Sequence, residues 1–224
     1  MTNIAEESIE LAKHSTATLY DAGRRLGLEI ALRGVMPMAR KARVAGPACT
    51  VKFAPAALAP KSSLNFYDVI AAAPKGYIVT IEAGVDRWIF GANTSRFSEL
   101  SGIAGMVLDG CVRDIAQIRE RDYPLFARGV AVTGYPGALV MSAVGCEIVC
   151  GGVPVAAGDF IVGDDDGVVC LPKSRLQDIL HEAEEIASLD AKLEGDIEAR
   201  CTLEELHATR IRWPIRRAAT PRGD

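Results

Sequence analysis

GANTSRFSELSGIAGMVLDGCVRD, running from Gly91 to Asp114, is the stretch whose reading decides the fold. It opens on a glycine-led turn, Gly91-Ala92-Asn93-Thr94, and a short helix is predicted over Arg96 to Leu100. An apolar run from Ile103 to Leu108, broken only by small residues, then reads as a buried strand. Asp109-Gly110 is expected to close that strand as a tight turn and to lead into the adjacent charges of Arg113 and Asp114. The guanidinium of Arg113 offers a planar fork for a carboxylate. The carboxylate of Asp114 offers a hard oxygen ligand for a divalent cation. A glycine-led turn at a helix start offers backbone N–H groups to an anion. These are the parts of a site for a small oxo-acid on a metal. The competing reading of the same residues is a solvated surface ion pair that contributes little.

Outward on the N-terminal side, residues 4–14 are predicted helical, and Ser15-Thr16-Ala17-Thr18 breaks the chain and supplies an N-cap for a helix from Leu19 to Leu26, which Gly27 ends. Arg33 to Ala45 reads as loop with a short strand. A strand is expected from Gly46 to Phe53, a helix from Asn65 to Ala73 and a β-branched strand from Tyr77 to Ile81. On the C-terminal side a short helix, Ile115 to Arg121, precedes a strand from Tyr123 to Gly129. Four short strands follow at 147–150, 153–155, 160–163 and 167–171. They are punctuated by Gly151-Gly152, Gly158-Asp159 and Asp164-Asp165-Asp166, which is hairpin spacing. Leu176, Ile179, Leu180, Ala183 and Ile186 then recur at helical spacing in a long helix from Arg175 to about Leu193. The pattern is one α/β (α+β) domain over residues 1–224, with mixed sheets, flanking helices and a long C-terminal helix.

Composition narrows the function classes. A hydrophobic fraction of 49% indicates a filled core, and the net charge is 25 − 29 = −4. No block of basic residues occurs before the tail from Arg210 to Arg217, which argues against a nucleic-acid partner; the tail is expected to be a subunit contact or a frayed end. No charged segment followed by an apolar core is seen at the N-terminus, and no apolar stretch reaches the roughly 18 residues that span a bilayer, so a cytoplasmic protein without a membrane partner is expected. The six cysteines are spread through mainly apolar runs and read as small buried hydrophobes; Cys146 and Cys150 lack the second pair a zinc site needs. The three histidines, His14, His181 and His207, sit in polar stretches toward the chain ends, which argues against a histidine triad or a three-histidine metal site.

Four motifs occur in order: GPACTV at Gly46–Val51, GIAGMVLDGCVRD at Gly102–Asp114, PLFARG at Pro124–Gly129 and AGDFIVGDDDGVVCLP at Ala157–Pro172. Together, across roughly residues 15 to 190, they resemble the family of regulators of ribonuclease activity A and its catalytic relatives, the 4-hydroxy-4-methyl-2-oxoglutarate and 4-carboxy-4-hydroxy-2-oxoadipate aldolases. The resemblance implies a swivelling β/β/α domain assembled as homotrimers or homohexamers, with sites between subunits. It implies that Arg113 binds the oxo-acid and stabilises an enolate, that Asp114 holds Mg2+ or Mn2+, and that Gly91, Ala92, Asn93 and Thr94 supply backbone N–H groups to the substrate. Ala92 departs from the pattern, because the aldolases tend to carry an acid directly after the loop glycine. That acid is a candidate for moving protons, so its absence leaves open a different oxo-acid, a bias toward decarboxylation or a lost activity. Glu194 and the cluster Asp164 to Asp166 are held as secondary metal candidates. The alternative to a lyase is a non-catalytic, protein-binding regulator.

Overall fold

The computed structural model describes residues 4–40, 42–59, 64–84 and 86–211. The residues of the basic tail beyond Ile211 lie outside the described part, and with them most of the expected subunit contact.

In chain order the elements are α1 (Ile4–Leu11), α2 (Thr16–Arg25), β1 (Met36–Pro37), β2 (Val44–Pro55), α3 (Phe66–Ala72), β3 (Ile78–Glu82), β4 (Trp88–Phe90), α4 (Ala92–Leu100), β5 (Gly105–Val112), α5 (Ile115–Arg119) and β6 (Leu125–Val130). Then come β7 (Leu139–Val144), β8 (Ile148–Cys150), β9 (Val153–Val155), β10 (Phe160–Asp164), β11 (Gly167–Leu171), α6 (Leu176–Glu198) and α7 (Leu203–Ile211). Nine strands form one mixed sheet in the order β1-β6-β5-β3-β2-β10-β11, with β4 attached to β5 and β7 to β2, while β8 and β9 form a separate ribbon. Strands β2, β3, β5 and β6 run parallel and are linked by α3, α4 and α5, the crossovers that parallel pairing demands. The fold is thus the mixed α/β architecture with flanking helices that the sequence indicates.

Several local expectations hold for identifiable reasons. Ser15, in the expected capping segment, caps α2 by accepting from the Thr18 N–H, although the helix starts at Thr16 rather than Leu19, and Asn65, expected as the first helical residue, lies one position outside α3 and caps it by accepting from the Tyr67 N–H. Gly27 ends the second helix at φ 73°, in the left-handed region glycine favours. The buried face of α6, Leu176, Ile179, Leu180, Ala183 and Ile186, packs with Leu19 of α2, Phe160 of β10 and Leu171 of β11 in a core of its own. The larger core lies about the parallel strands.

Other expectations are corrected. Asp109-Gly110 is no turn: all eight residues of β5 are buried, and the strand runs through both of them to Val112. It continues because Asp109 keeps a place in the ladder opposite Glu82 of β3, and its buried carboxylate is satisfied by other segments. The next helix begins at Ala92 rather than Arg96, with Gly91 at its N-cap. The expected helix end near Leu193 moves to Glu198. Three elements carry too little periodicity to be read in sequence: the three-residue β4, β7 and α7. Among the described residues no helix is long and apolar enough to cross a membrane.

Candidate active site

The carboxyl ends of the parallel strands are where open α/β sheets present chemistry, and Arg113 and Asp114 sit directly after β5. The Arg113 N–H donates to Phe90 O (3.2 Å), which ties the end of β5 to β4. Asp114 has φ 60° and ψ 38°, one of two described non-glycine residues with positive φ. Aspartate tolerates this left-handed conformation better than most residues, but it still costs energy that the surroundings must supply. Here the surroundings are the start of α5, which Asp114 precedes as N-cap, and the N-terminus of α4, whose Ala92 N–H donates to Asp114 Oδ2 at 3.3 Å.

Gly91 is required by contact rather than by its backbone angles. A Cβ at this position would collide with the Asp114 carboxylate and come within 2.9 Å of Arg113 Cγ. The loop glycine therefore lets the arginine–aspartate pair lie against the helix start.

Arg113 lines a cleft of about 630 Å³ together with Gly91, Thr94 and a wall of aromatic residues that includes Phe66, Tyr67, Trp88 and Tyr135. Its guanidinium lies over the Trp88 ring, 4.0 Å from Cζ to the centroid, a cation–π arrangement. Its ion-pair contact with Asp114, Nε to Oδ2 at 3.6 Å, is too long for a hydrogen bond. About half of the Arg113 side chain is exposed, as is 39% of Asp114. The fork is thus aimed by a ring and left largely unsatisfied by protein acceptors, as a ligand-binding arginine requires.

Trp88 is itself fixed. Its Nε1 donates to Val132 O (3.0 Å), and its backbone bonds Thr133 and Tyr135. Tyr135 packs edge-on at 5.8 Å. A Cβ on Gly134 would lie 2.6 Å from the indole, so that glycine admits the ring.

The predicted loop donors divide. Thr94 and Gly91 line the cleft, whereas Ala92 and Asn93 do not. The Ala92 N–H is committed to Asp114, its methyl is buried and its carbonyl accepts from Arg121 (3.0 Å). The Thr94 hydroxyl sits 3.3 Å from the Tyr67 hydroxyl. Trp88, Tyr67 and Tyr135 were missed in sequence, because no local pattern marks an aromatic residue as a cleft wall rather than as core.

The secondary metal candidates do not join the site. Asp164 accepts from the N–H and hydroxyl of Thr16 (2.8 and 2.6 Å) and from the Asp166 N–H, so it fastens α2 to the β10–β11 turn. Glu194 is exposed on α6 and does not line the cleft. Cys111 is buried behind the motif, and burial, then Asp86, push its thiol pKa up despite the opposing pull of Arg128.

A divalent cation would find one carboxylate here, that of Asp114. No group of three histidine, cysteine or acidic side chains capable of holding a metal occurs among the described residues. That donor set fits Mg2+, which retains several waters and uses one or two carboxylates plus ligand oxygens, and does not fit a closed structural site.

Known proteins of similar sequence and structure share this fold. The model of the RraA-like family, described as Aldolase/RraA, matches residues 16–170. A Halalkalibacterium halodurans protein with the provisional name 4-hydroxy-4-methyl-2-oxoglutarate aldolase is 33% identical over 74% of this chain and 74% of its own. Protein DlpA of Legionella pneumophila is 26% identical over 92% of this chain, which spans only a third (33%) of that protein's length. Among solved structures, Streptomyces coelicolor RraAS2, described as an unusual member of the RNase ES inhibitor RraA protein family, superposes with a TM-score of 0.75 at 26% identity, covering 85% of this chain and 96% of that one. With most of its length, residues 16–170, matched by the family model, this chain belongs to the RraA-like family.

Proposed function

We propose that the protein is a divalent-metal-dependent lyase that cleaves a 4-hydroxy-2-oxo acid to pyruvate and also decarboxylates oxaloacetate. The observation that carries this reading is the Arg113 guanidinium held over Trp88 at the cleft, beside a half-exposed Asp114 in a left-handed conformation. Strain of this kind persists where structure over-determines it, typically at ligand sites.

In this reading Arg113 grips the 2-oxo acid and offsets the charge that develops on the C2 oxygen as the C3–C4 bond breaks. Stacking on Trp88 limits the rotamers of the guanidinium, so less entropy is lost when substrate binds. Asp114 would hold Mg2+ or Mn2+, which when bound supplies Lewis-acid polarisation of the oxo acid. The N–H groups of Asn93 and Thr94, in the first turn of α4, have no acceptor among the described residues and lie in the positive field of the helix start. Thr94, with Tyr67, places hydroxyls on the cleft. Ala92 supplies no carboxylate, so the proton of the 4-hydroxyl leaves through solvent or through these hydroxyls. Decarboxylation needs the same enolate stabilisation without that proton transfer.

The test is pyruvate release from 4-hydroxy-4-methyl-2-oxoglutarate and from oxaloacetate, with Mg2+ and then with EDTA. Metal-dependent release is expected; none from either, with folded protein, overturns the lyase. The likeness to RraAS2 favours a second reading in that event, a protein-binding regulator. The assembly we propose is a homotrimer or homohexamer, which sedimentation would test.

A further inference from the structure

Two hydroxyls from different segments meet at the cleft. Thr94 stands in the first turn of α4, three residues after Gly91, and Tyr67 is the second residue of α3. Both residues line the cavity that Arg113 lines. Their oxygens lie 3.3 Å apart, and either can donate to the other. That is long for a hydroxyl pair, as catalytic hydrogen bonds often are before substrate arrives. A threonine inside a helix commonly bonds back to the carbonyl a turn earlier. Among the described residues the Thr94 hydroxyl instead has Tyr67 as its partner.

Each member of the pair is held in place. The Thr94 carbonyl accepts from the buried Ser98 hydroxyl (3.0 Å), which ties its turn to the next one of α4. The Tyr67 ring stands edge-on to Phe97 of the same helix at 5.1 Å, and its backbone N–H is taken by the Asn65 cap (2.9 Å). Burial gives the pair a direction: Thr94 is 9% exposed and Tyr67 44%. The two oxygens therefore lead from the wall of the cleft toward water. Each hydroxyl has one proton to give and two lone pairs, so the bond between them leaves each able to engage a further group, a substrate hydroxyl at one end and solvent at the other.

We infer that the Thr94–Tyr67 hydroxyl pair carries the 4-hydroxyl proton of the substrate out to solvent during aldol cleavage. This rests on the lyase reading of the site. As the C3–C4 bond breaks, its electron pair passes into the enolate of pyruvate and C4–O becomes a carbonyl. The 4-hydroxyl proton passes to Thr94 Oγ1, the Thr94 proton to Tyr67 Oη, and the Tyr67 proton to a solvent base, water or buffer. Both side chains finish as neutral hydroxyls. Solvent returns one proton at C3 of the enolate, so the reaction closes with no net change in protons or oxidation state. Decarboxylation of oxaloacetate passes through the same enolate but has no hydroxyl proton to remove, so the two reactions separate the relay from the rest of the site.

The test is the ratio of two kcat values, cleavage of 4-hydroxy-4-methyl-2-oxoglutarate over decarboxylation of oxaloacetate, both read as pyruvate release with Mg2+ present. Tyr67→Phe keeps the ring against Phe97, and Thr94→Val keeps the branched shape; each removes one link. Positioned proton transfer contributes about 10²–10⁴-fold, and with water standing in for the lost link each variant should lower the ratio by at least about tenfold. Thr94→Ser restores the hydroxyl without the methyl and should keep the ratio within about threefold of wild type. A merely structural role lowers both rates together. An unchanged ratio in folded Tyr67→Phe or Thr94→Val therefore overturns the inference and leaves the lyase standing, with the proton carried by solvent or by a group from a neighbouring subunit. A ratio as low in Thr94→Ser as in Thr94→Val also overturns it, because shape and not the hydroxyl would then be at work. Pyruvate from oxaloacetate alone in the wild type leaves a decarboxylase without a relay. No pyruvate from either substrate removes the lyase reading and the relay with it.

Discussion

The two aspartates at the ends of one short motif, DGCVRD, each face an arginine, Asp109 facing Arg128 and Asp114 facing Arg113, and the two pairs are built differently. Asp109 is buried in β5; its carboxylate accepts from Arg128 Nε and from the Gly151 N–H (2.8 Å). The residue opposite it on β3 repeats the device: Glu82 accepts from Val149 N–H (2.7 Å) and pairs with Lys52 (3.0 Å). The two carboxylates thereby take the outward N–H groups at positions 149 and 151 and fasten the β8–β9 ribbon to the parallel sheet. Arg113 and Asp114 are half-exposed, separated by 3.6 Å and joined to a strained backbone. Satisfied, buried charge holds a fold; exposed and under-satisfied charge at a cleft is available to a ligand. Residue type alone separates neither pair.

The contrast predicts opposite phenotypes. Arg113→Ala should lower turnover by about 10²–10³-fold, the loss typical of one transition-state donor, with Tm changed by no more than about 2 °C; a large fall in Tm would make this pair structural too. Next in size, Asp114→Asn keeps a side chain that tolerates the left-handed conformation and an oxygen for the Ala92 N–H, but removes the charge. It should lower activity by about 10²-fold and abolish the response to Mg2+, with stability within about 0.5 kcal/mol. Full Mg2+-dependent turnover in this variant would remove the metal assignment. Asp109→Ala should do the reverse, leaving Arg128 and the Gly151 N–H without their partner. Discounted for the part-exposed arginine, the cost is about 2–3 kcal/mol, or a Tm lower by roughly 5–10 °C, read by thermal melts, with activity per folded molecule within a few-fold. Smallest is Cys111→Ala, between the two pairs. Its thiol is held protonated by burial and has no role as nucleophile, so kcat should stay within about twofold; a greater loss would bring the sulfur into the chemistry.

How much of this was legible in the sequence follows the range of the forces involved. Caps and helix faces are local: Ser15, Gly27 and the apolar stripe of α6 fall where short-range geometry puts them. Asp109-Gly110 was misread because the dipeptide favours turns in isolation, whereas pairing with β3 and a partner from β6 held it extended. The start of α4 was misplaced because Gly91 was read as a loop residue, while its lack of a side chain is what lets Asp114 reach the helix end. Strands β4 and β7 pair with β5 and β2; β4 has only three residues, and the six of β7, LVMSAV, show no regular polar–apolar alternation, so neither announces itself in sequence.

By itself the sequence determined the parallel α/β core, the long closing helix, the family and the two residues, Arg113 and Asp114, at the end of the central strand. All of these depend on residue type, periodicity and the order of motifs along one chain. Only the tertiary structure decided that Asp109 is a fastening and Asp114 is not, that Ala92 is buried with its N–H already used, and that Trp88, Tyr67 and Tyr135, from separate segments, wall the cleft beside Arg113. Those outcomes depend on which distant groups arrive within a few ångströms of one another, and burial and partner geometry, not composition, set what a charge or a ring can do.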